Sequence, residues 1–173
     1  MTSSTELDRW LVMAGYMGSG KSSVGRRLAR ALRRKFVDAD AAIEKHAGMA
    51  IPEIFSKRGE VWFRRTEAEV IRTIVQERDP GVLALGGGAL GSDRTRGLLS
   101  REATVIWLNV SPEVAWSRVG GSDRPLAADR GRFLRRAEAR EPVYREAADV
   151  EIDADRPLGE VLSAVAEWAK AAA

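Results

Sequence analysis

The sequence predicts an α/β fold built on a five-stranded parallel sheet with helices on both faces. Five short apolar runs are continuous rather than alternating, which is typical of parallel strands that are covered on both sides. These runs are Trp10–Ala14, Phe36–Val37, Val82–Leu85, Thr104–Val110 and Val150–Ile152. Helical stretches separate them, and this alternation favours parallel strands joined by right-handed crossovers.

The helical stretches carry start and stop signals of their own. The pattern predicts helices over Ser22–Leu32, Ile51–Phe55 and Trp62–Gln76. Ser111-Pro112-Glu113 opens a further helix, with serine as the N-cap and proline in the first turn, and Gly120-Gly121 closes it. The last helix begins near Leu158, where apolar residues recur on one face.

Composition and charge limit the classes of protein to consider. A chain of 173 residues with 45% hydrophobic and 31% charged residues forms a single domain (1–173, core about 10–170) and excludes a disordered chain. The net charge of +3 is too small to indicate nucleic acid, so we expect no such partner. Cysteine is absent, which excludes disulfides and thiolate metal sites. We see neither a signal-peptide core nor a membrane span, and we expect a cytoplasmic monomer without membrane contact.

A glycine-rich motif follows the first apolar run. Gly15-Tyr16-Met17-Gly18-Ser19-Gly20-Lys21-Ser22 matches the phosphate-loop pattern G-x-x-x-x-G-K-[ST]. Backbone N–H groups of such a loop wrap phosphate oxygens, Lys21 reaches the β- and γ-phosphates, and Ser22 offers a hydroxyl to Mg²⁺. The motif predicts a nucleoside triphosphate site but does not identify the second substrate. A GTPase is not indicated, because the Asn-Lys-x-Asp guanine motif is missing.

Two carboxylates follow the second predicted strand. Asp38 and Asp40 stand one residue apart at a strand end, which is where ligands bind in open α/β sheets. Side chains at this spacing point in different directions, so one carboxylate can serve Mg²⁺ and the other an acceptor hydroxyl. The alternative is helix capping, for which Asp40 is well placed, and the spacing alone favours neither. Asp38 is the candidate metal carboxylate, because the third strand offers no aspartate near its end.

Three further segments each allow a functional and a structural interpretation. Arg64, in Gly59–Arg64, is either a ligand-binding arginine or a surface arginine paired with Glu60 or Glu67. Gly86–Gly88 follows the third strand and is either a close approach for a ligand or a flexible turn. The arginine-rich residues 122–136 are either a solvated helical face or a lid, mobile without ligand and ordered by nucleotide.

Six motifs, in one order along almost the whole chain, resemble the shikimate kinase family. They are the phosphate loop Gly15–Ser22, Asp38-Ala39-Asp40, Gly59–Arg64, Gly86–Gly88, Arg124-Pro125-Leu126 and Arg140 to Tyr144. The resemblance implies a phosphate-loop kinase fold with a mobile lid and strand order 2-3-1-4-5. It also implies transfer of the ATP γ-phosphoryl group to the 3-hydroxyl of shikimate, with Mg²⁺, which yields 3-phosphoshikimate and ADP in the biosynthesis of aromatic amino acids.

The same resemblance implies roles for individual residues. Lys21, Asp40 and Arg124 would be catalytic, and Ser22 and Asp38 would hold Mg²⁺. The shikimate-binding region would be about residues 38–65, and shikimate would contact Asp40, Arg64, Gly86, Gly87, Gly88 and Arg140. ATP would contact Gly18, Ser19, Gly20, Lys21, Ser22, Ser23, Arg118, Arg124 and Arg156.

Two other functions stay open on the sequence alone. One is another small-molecule kinase of the same fold, since gluconate also carries a carboxylate and hydroxyls. The other is a nucleotide-regulated binding protein in which hydrolysis only switches shape. The segments Gly59–Arg64 and Gly86–Gly88 favour shikimate over gluconate. No aromatic interleaving and no recognised nucleic-acid module supports the binding protein.

Overall fold

Five parallel strands form one sheet in the structure, a computed structural model that describes residues 8–120 and 129–172. The strands are β1 (Trp10–Ala14), β2 (Phe36–Asp38), β3 (Val82–Ala84), β4 (Ala103–Asn109) and β5 (Val150–Asp153). Their order is β2-β3-β1-β4-β5, and every neighbouring pair is parallel. The predicted fold class and strand order are therefore confirmed, and each predicted strand boundary lies within one residue of the observed one.

The central strand β1 explains why the strands are continuous apolar runs. All five of its residues are buried, with Met13 aligned to Ala84 on one side and to Ile106 on the other. Helices cover both faces, so no residue of β1 contacts solvent. The strand therefore does not show the alternation of apolar and polar residues that a half-exposed strand has. The carboxyl ends of β1, β2 and β3 consequently meet at one edge of the sheet, next to the phosphate loop.

Seven helices surround the sheet within the described ranges. They are α1 (Lys21–Ala31), α2 (Ala39–Ala47), α3 (Ile51–Val75), α4 (Asp93–Glu102), α5 (Pro112–Val119), α6 (Arg130–Ala147) and α7 (Leu158–Ala171). The two predicted helices over Ile51–Phe55 and Trp62–Gln76 are joined in α3, where Gly59 interrupts the helical geometry at φ 80°, ψ 169°. In the part of the chain that is described, none of these helices is both long and apolar enough to cross a membrane.

Helix α4 was not predicted, although its start signal is in the sequence. The Ser92 side chain caps it by accepting a hydrogen bond from the backbone N–H of Thr95. Leu98 and Leu99 then bury one face of the helix. A capping serine followed by an aspartate in the first turn is a recognisable N-terminus.

The predicted lid is described only in part. Residues 121–128, and Arg124 with them, lie outside the described residues. Residues 130–136 begin α6, which is capped by Asp129 and buries Phe133. The Phe133 ring lies 4.9 Å from the Tyr16 ring and 5.3 Å from the Trp116 ring, measured between centroids. The described part of the arginine-rich stretch is thus a helix that packs on the phosphate loop.

Candidate active site

The phosphate loop is pressed closely against the end of the sheet. Gly15 (φ 145°) and Gly18 (φ 85°) adopt backbone conformations that favour glycine. A Cβ atom at Gly15 would lie 2.7 Å from the carbonyl oxygen of Leu108, and one at Gly18 would lie 2.7 Å from that of Ala115. Both positions therefore need glycine for space as well as for conformation, and the loop is fixed between β4 and α5.

The lysine and the serine of this loop are held in place by neighbouring oxygens. Lys21 Nζ donates to the carbonyl oxygens of Gly15 at 2.7 Å and Tyr16 at 3.1 Å. Its positive charge therefore lies beside the first two residues of the loop. Ser22 Oγ donates to Asp38 Oδ2 at 2.9 Å. This hydrogen bond joins the start of α1 to the end of β2.

Asp38, and not Asp40, is the N-cap of α2. Its Oδ1 accepts hydrogen bonds from the backbone N–H groups of Asp40 at 3.0 Å and Ala41 at 3.3 Å. The capping role considered for Asp40 is therefore wrong, because α2 begins at Ala39 rather than near Ala41. Both carboxylate oxygens of Asp38 therefore accept hydrogen bonds. Asp40 lies in the first turn of α2, and its carboxylate does not cap the helix.

Asp40 faces the glycine segment that follows β3. Its Oδ1 lies 2.8 Å from the position that a Cβ at Gly86 would take, and Glu67 Oε1 lies 3.1 Å from the same position. Burial, followed by repulsion from Asp38, raises the pKa of Asp40 above its usual range, although Lys21 acts in the opposite direction. A carboxylate with a raised pKa is suited to accept a proton.

Arg64 reaches the same segment from α3. Its Nη1 donates to Glu67 Oε2 at 2.7 Å, and its Nε lies 3.7 Å from Glu60 Oε1. The guanidinium packs so closely on Gly88 that a Cβ there would lie 2.6 Å from Nη2. Arg64 therefore has both ion pairs that the structural interpretation considered, yet it also lines the cleft. Glu67, buried beneath it, was not predicted as a site residue.

Arg140 approaches the segment from α6, on the opposite side. Its Nη1 lies 3.1 Å from the position of a Cβ at Gly87, and its guanidinium stands 5.5 Å from the centre of the Tyr16 ring. Within residues 8–120 and 129–172, Arg140 forms no ion pair. Arg64, Gly87, Gly88 and Arg140 line one cavity of about 180 Å³. The glycines let two guanidinium groups approach the same small space.

Arg118 and Arg156 lie together on the other side of the phosphate loop. Arg118 Nη1 donates to the carbonyl oxygen of Gly18, and its Nη2 donates to that of Arg156, both at 3.0 Å. Arg156 is itself paired with Asp153 at 3.3 Å. The structure therefore places this pair beside the loop and away from the cavity between Arg64 and Arg140.

The donor set at the loop fits a magnesium ion. Ser22 Oγ and Asp38 Oδ2 are oxygen ligands that are already 2.9 Å apart. Mg²⁺ prefers oxygen and is commonly held by one or two protein groups together with substrate phosphates. Among the described residues, no group of three or more acidic, histidine or cysteine side chains could hold a metal ion.

The family model and several relatives indicate one family. The family model for shikimate kinase matches residues 17–170. The chain is 51% identical to a shikimate kinase from Nitrobacter winogradskyi over 143 residues, which is 80% of this chain and 66% of that protein. It is 48% identical to one from Mycobacterium avium over 149 residues, 84% of each chain. A shikimate kinase from Acinetobacter baumannii, solved in complex with shikimate, superposes with a TM-score of 0.87 at 33% identity and covers 96% of this chain and 95% of its own. The chain belongs to the shikimate kinase family.

Proposed function

We propose that this protein transfers the γ-phosphoryl group of ATP to the 3-hydroxyl of shikimate, giving 3-phosphoshikimate and ADP. The observation that carries the proposal is the cavity of about 180 Å³ in which Arg64 and Arg140 converge on Gly87 and Gly88. A small ring with one carboxylate and several hydroxyls fits a space with two cations and backbone donors. Asp40 stands beside this space, across Gly86.

Arg140 is the stronger partner for the shikimate carboxylate. Arg64 already shares its charge with Glu67 and Glu60, whereas Arg140 carries no ion pair within the described residues. A guanidinium binds a carboxylate through two parallel hydrogen bonds, and this geometry sets the orientation of the ring. Arg64 contacts the same carboxylate from α3. The backbone of Gly86, Gly87 and Gly88 contacts the hydroxyls.

In the transfer step, a bond forms between the 3-oxygen of shikimate and the γ-phosphorus, and the bond to the β–γ bridging oxygen breaks. Asp40 orients the hydroxyl and accepts its proton, for which its raised pKa is suited. Lys21 and Arg124 neutralise the charge that spreads over the phosphoryl oxygens. Positioning and charge stabilisation supply most of the acceleration in reactions of this type.

The nucleotide binds along the phosphate loop. Gly18, Ser19, Gly20, Lys21, Ser22 and Ser23 hold its phosphates, and Arg118 and Arg156 lie beside the adenine. Ser22 and Asp38 hold Mg²⁺, which when bound offsets the charge of the β- and γ-phosphates. We further propose that the enzyme acts in the cytoplasm as a monomer, without nucleic acid as a partner.

A coupled assay of ADP release tests the function. Mg-ATP is supplied with shikimate, gluconate, AMP or no acceptor. The control is the Lys21→Ala variant, which removes the positive charge of the phosphate loop. Strong release with shikimate alone, lost in the variant, supports the proposal. Release with gluconate instead reassigns the acceptor. Equal slow release in all four tubes leaves an ATPase or a nucleotide switch and refutes the kinase assignment.

A further inference from the structure

Tyr144 joins α6 to the glycine segment that lines the acceptor cavity. It lies on α6 one turn after Arg140, and only 3% of the residue is exposed. Its hydroxyl donates to the carbonyl oxygen of Gly87 at 2.6 Å. Its ring stacks on Trp107 of β4, with 6.1 Å between the centroids.

The ring of Tyr144 also forms a wall between two cavities. On one side it lines the acceptor cavity together with Arg64, Gly88 and Arg140. On the other side it lines a larger cavity of about 290 Å³ at the ends of β4 and β5, bounded by residues such as Tyr16, Ser111 and Asp153. The position of this ring therefore sets the boundary of the space that the acceptor occupies.

Arg140 and Tyr144 act on the same segment because residues four apart share one face of a helix. The Arg140 guanidinium packs on Gly87, and the Tyr144 hydroxyl holds the carbonyl oxygen of that same residue. The two contacts fix the peptide at Gly87 with respect to the guanidinium. A shift of this peptide displaces the backbone that faces the acceptor and the arginine that binds its carboxylate together.

We propose that Tyr144 is a positioning residue for the acceptor, whose hydroxyl holds the Gly87 peptide and Arg140 in the geometry that binds the acceptor carboxylate. This inference rests on the proposed function, since it concerns the affinity of the same site for its acceptor. It assigns to the hydroxyl a part in acceptor binding and none in nucleotide binding.

The chemistry of the buried hydroxyl supports this role. Burial raises the pKa of Tyr144 to about 12, while the charge of Arg140 acts in the opposite direction. The hydroxyl therefore keeps its proton at neutral pH and remains a donor to Gly87. Losing it leaves the half-buried carbonyl oxygen of Gly87 without this partner, which costs more than the loss of a fully exposed hydrogen bond does.

The Tyr144→Phe variant tests the inference, because it keeps the ring and removes only the hydroxyl. We expect the KM and the dissociation constant for shikimate to rise about three- to tenfold, the range of one hydrogen bond. We expect kcat, the KM for ATP and the dissociation constant for ADP to stay within about twofold. Unchanged shikimate affinity, or an equal loss of ADP affinity, overturns the inference.

Arg145→Gln is the matched control on the same helix. Arg145 is the next residue, and its guanidinium stands 5.2 Å from the centre of the Trp107 ring, but its side chain is 56% exposed and faces Glu141 and Glu151. We expect its shikimate affinity to equal that of the wild type, and a loss equal to that of Tyr144→Phe overturns the inference.

Hydrogen exchange gives a second measurement that does not depend on turnover. If the hydroxyl fixes the peptide, the amides of Ala89 and Gly91, which donate to the carbonyl oxygens of Gly86 and Gly88, exchange faster in Tyr144→Phe than in the wild type, while those of β1 are unchanged. Equal rates in both proteins overturn the inference. Failure of the proposed function is distinct, because the wild type itself then shows no ADP release that depends on shikimate.

Discussion

Glu67 and Arg64 form an ion pair that is buried at one end and open at the other. Arg64 Nη1 lies 2.7 Å from Glu67 Oε2, and the exposed fraction of the side chain is 4% for Glu67 but 35% for Arg64. A buried carboxylate needs a partner in order to stay charged, and Arg64 is the partner of Glu67. The ion pair therefore holds the Arg64 guanidinium in one position. The outer edge of Arg64 is thereby presented to the cavity beside Gly88.

Replacing Glu67 by glutamine should weaken acceptor binding more than nucleotide binding. Glutamine keeps the size and one acceptor oxygen but removes the charge that strengthens the hydrogen bond from Arg64. Loss of a charge-assisted hydrogen bond costs about 1.5–3 kcal/mol, so we expect the KM for shikimate to rise about tenfold or more. Steady-state kinetics with each substrate varied in turn measure this, with the KM for ATP expected within twofold.

Glu60→Gln is the control for this variant. Glu60 lies 3.7 Å from the Nε of Arg64, and its side chain is 68% exposed. Exposed ion pairs contribute about 0–1 kcal/mol, so we expect the KM for shikimate to change less than about fivefold. Equal effects of the two variants would contradict the positioning of Arg64 by Glu67.

The stability of the protein should depend on pH through Glu67. Burial raises the pKa of this carboxyl above its ordinary value of 4.5, against the opposing hydrogen bond from Arg64. In the window between 4.5 and the raised value, the folded chain holds a proton that the unfolded chain releases. Stability falls with pH wherever the folded state binds more protons. The free energy of unfolding should therefore decline as pH rises through this window.

Urea unfolding of the wild type and Glu67→Gln at pH 4.5, 5.5 and 7 measures this contribution. The difference between the two proteins measures Glu67 together with its repulsion from Asp40, whose pKa is also raised. We expect the stability of the wild type relative to the variant to decrease from pH 4.5 to pH 7. An increase over the same range would mean that Arg64, rather than burial, dominates the environment of Glu67.

The sheet was predictable because burial on both faces leaves a strong pattern. A run such as Trp10–Ala14 has no polar position, and the glycine-rich loop after it fixes which end of the strand is functional. Which of Asp38 and Asp40 caps α2 was not predictable from their spacing, since it depends on where α2 begins. A shift of two residues in that helix start exchanges the capping residue for the free carboxylate.

Other parts of the site could not be predicted from the sequence, because they depend on tertiary contacts. Glu67 stands three residues after Arg64, so their pairing was an open alternative, but its burial depends on how α3 packs beside Gly86. Helix α6 has few large apolar residues and contains Pro142. Its docking through Phe133 and Tyr144 follows from contacts with the phosphate loop and Gly87, which no local pattern records.

A methyl group at Gly88 should displace Arg64. The Cβ of Gly88→Ala would lie 2.6 Å from Nη2 and 2.7 Å from Nη1 of Arg64, so the guanidinium has to move. We expect the KM for shikimate to rise at least tenfold, with the dissociation constant for ADP unchanged, because the phosphate loop is untouched. Gly97→Ala is the control, since its Cβ meets no atom nearer than 3.8 Å and it lies in α4. A variant of Gly88 with normal shikimate affinity would show that Arg64 does not bind the acceptor.

Ser19 has a buried hydroxyl whose removal should stabilise the chain. Its Oγ is the only buried side-chain polar atom of the described residues without a hydrogen-bond partner, and the residue is 2% exposed. An unsatisfied buried group costs about 1–3 kcal/mol, so Ser19→Ala should raise the free energy of unfolding by about 1 kcal/mol. Urea unfolding without nucleotide measures this, beside Ser23→Ala, which removes the hydroxyl of an exposed residue in the first turn of α1 and should change stability by less than about 0.5 kcal/mol. A less stable Ser19→Ala would mean that a water molecule satisfies the hydroxyl, and that this water is part of the folded loop.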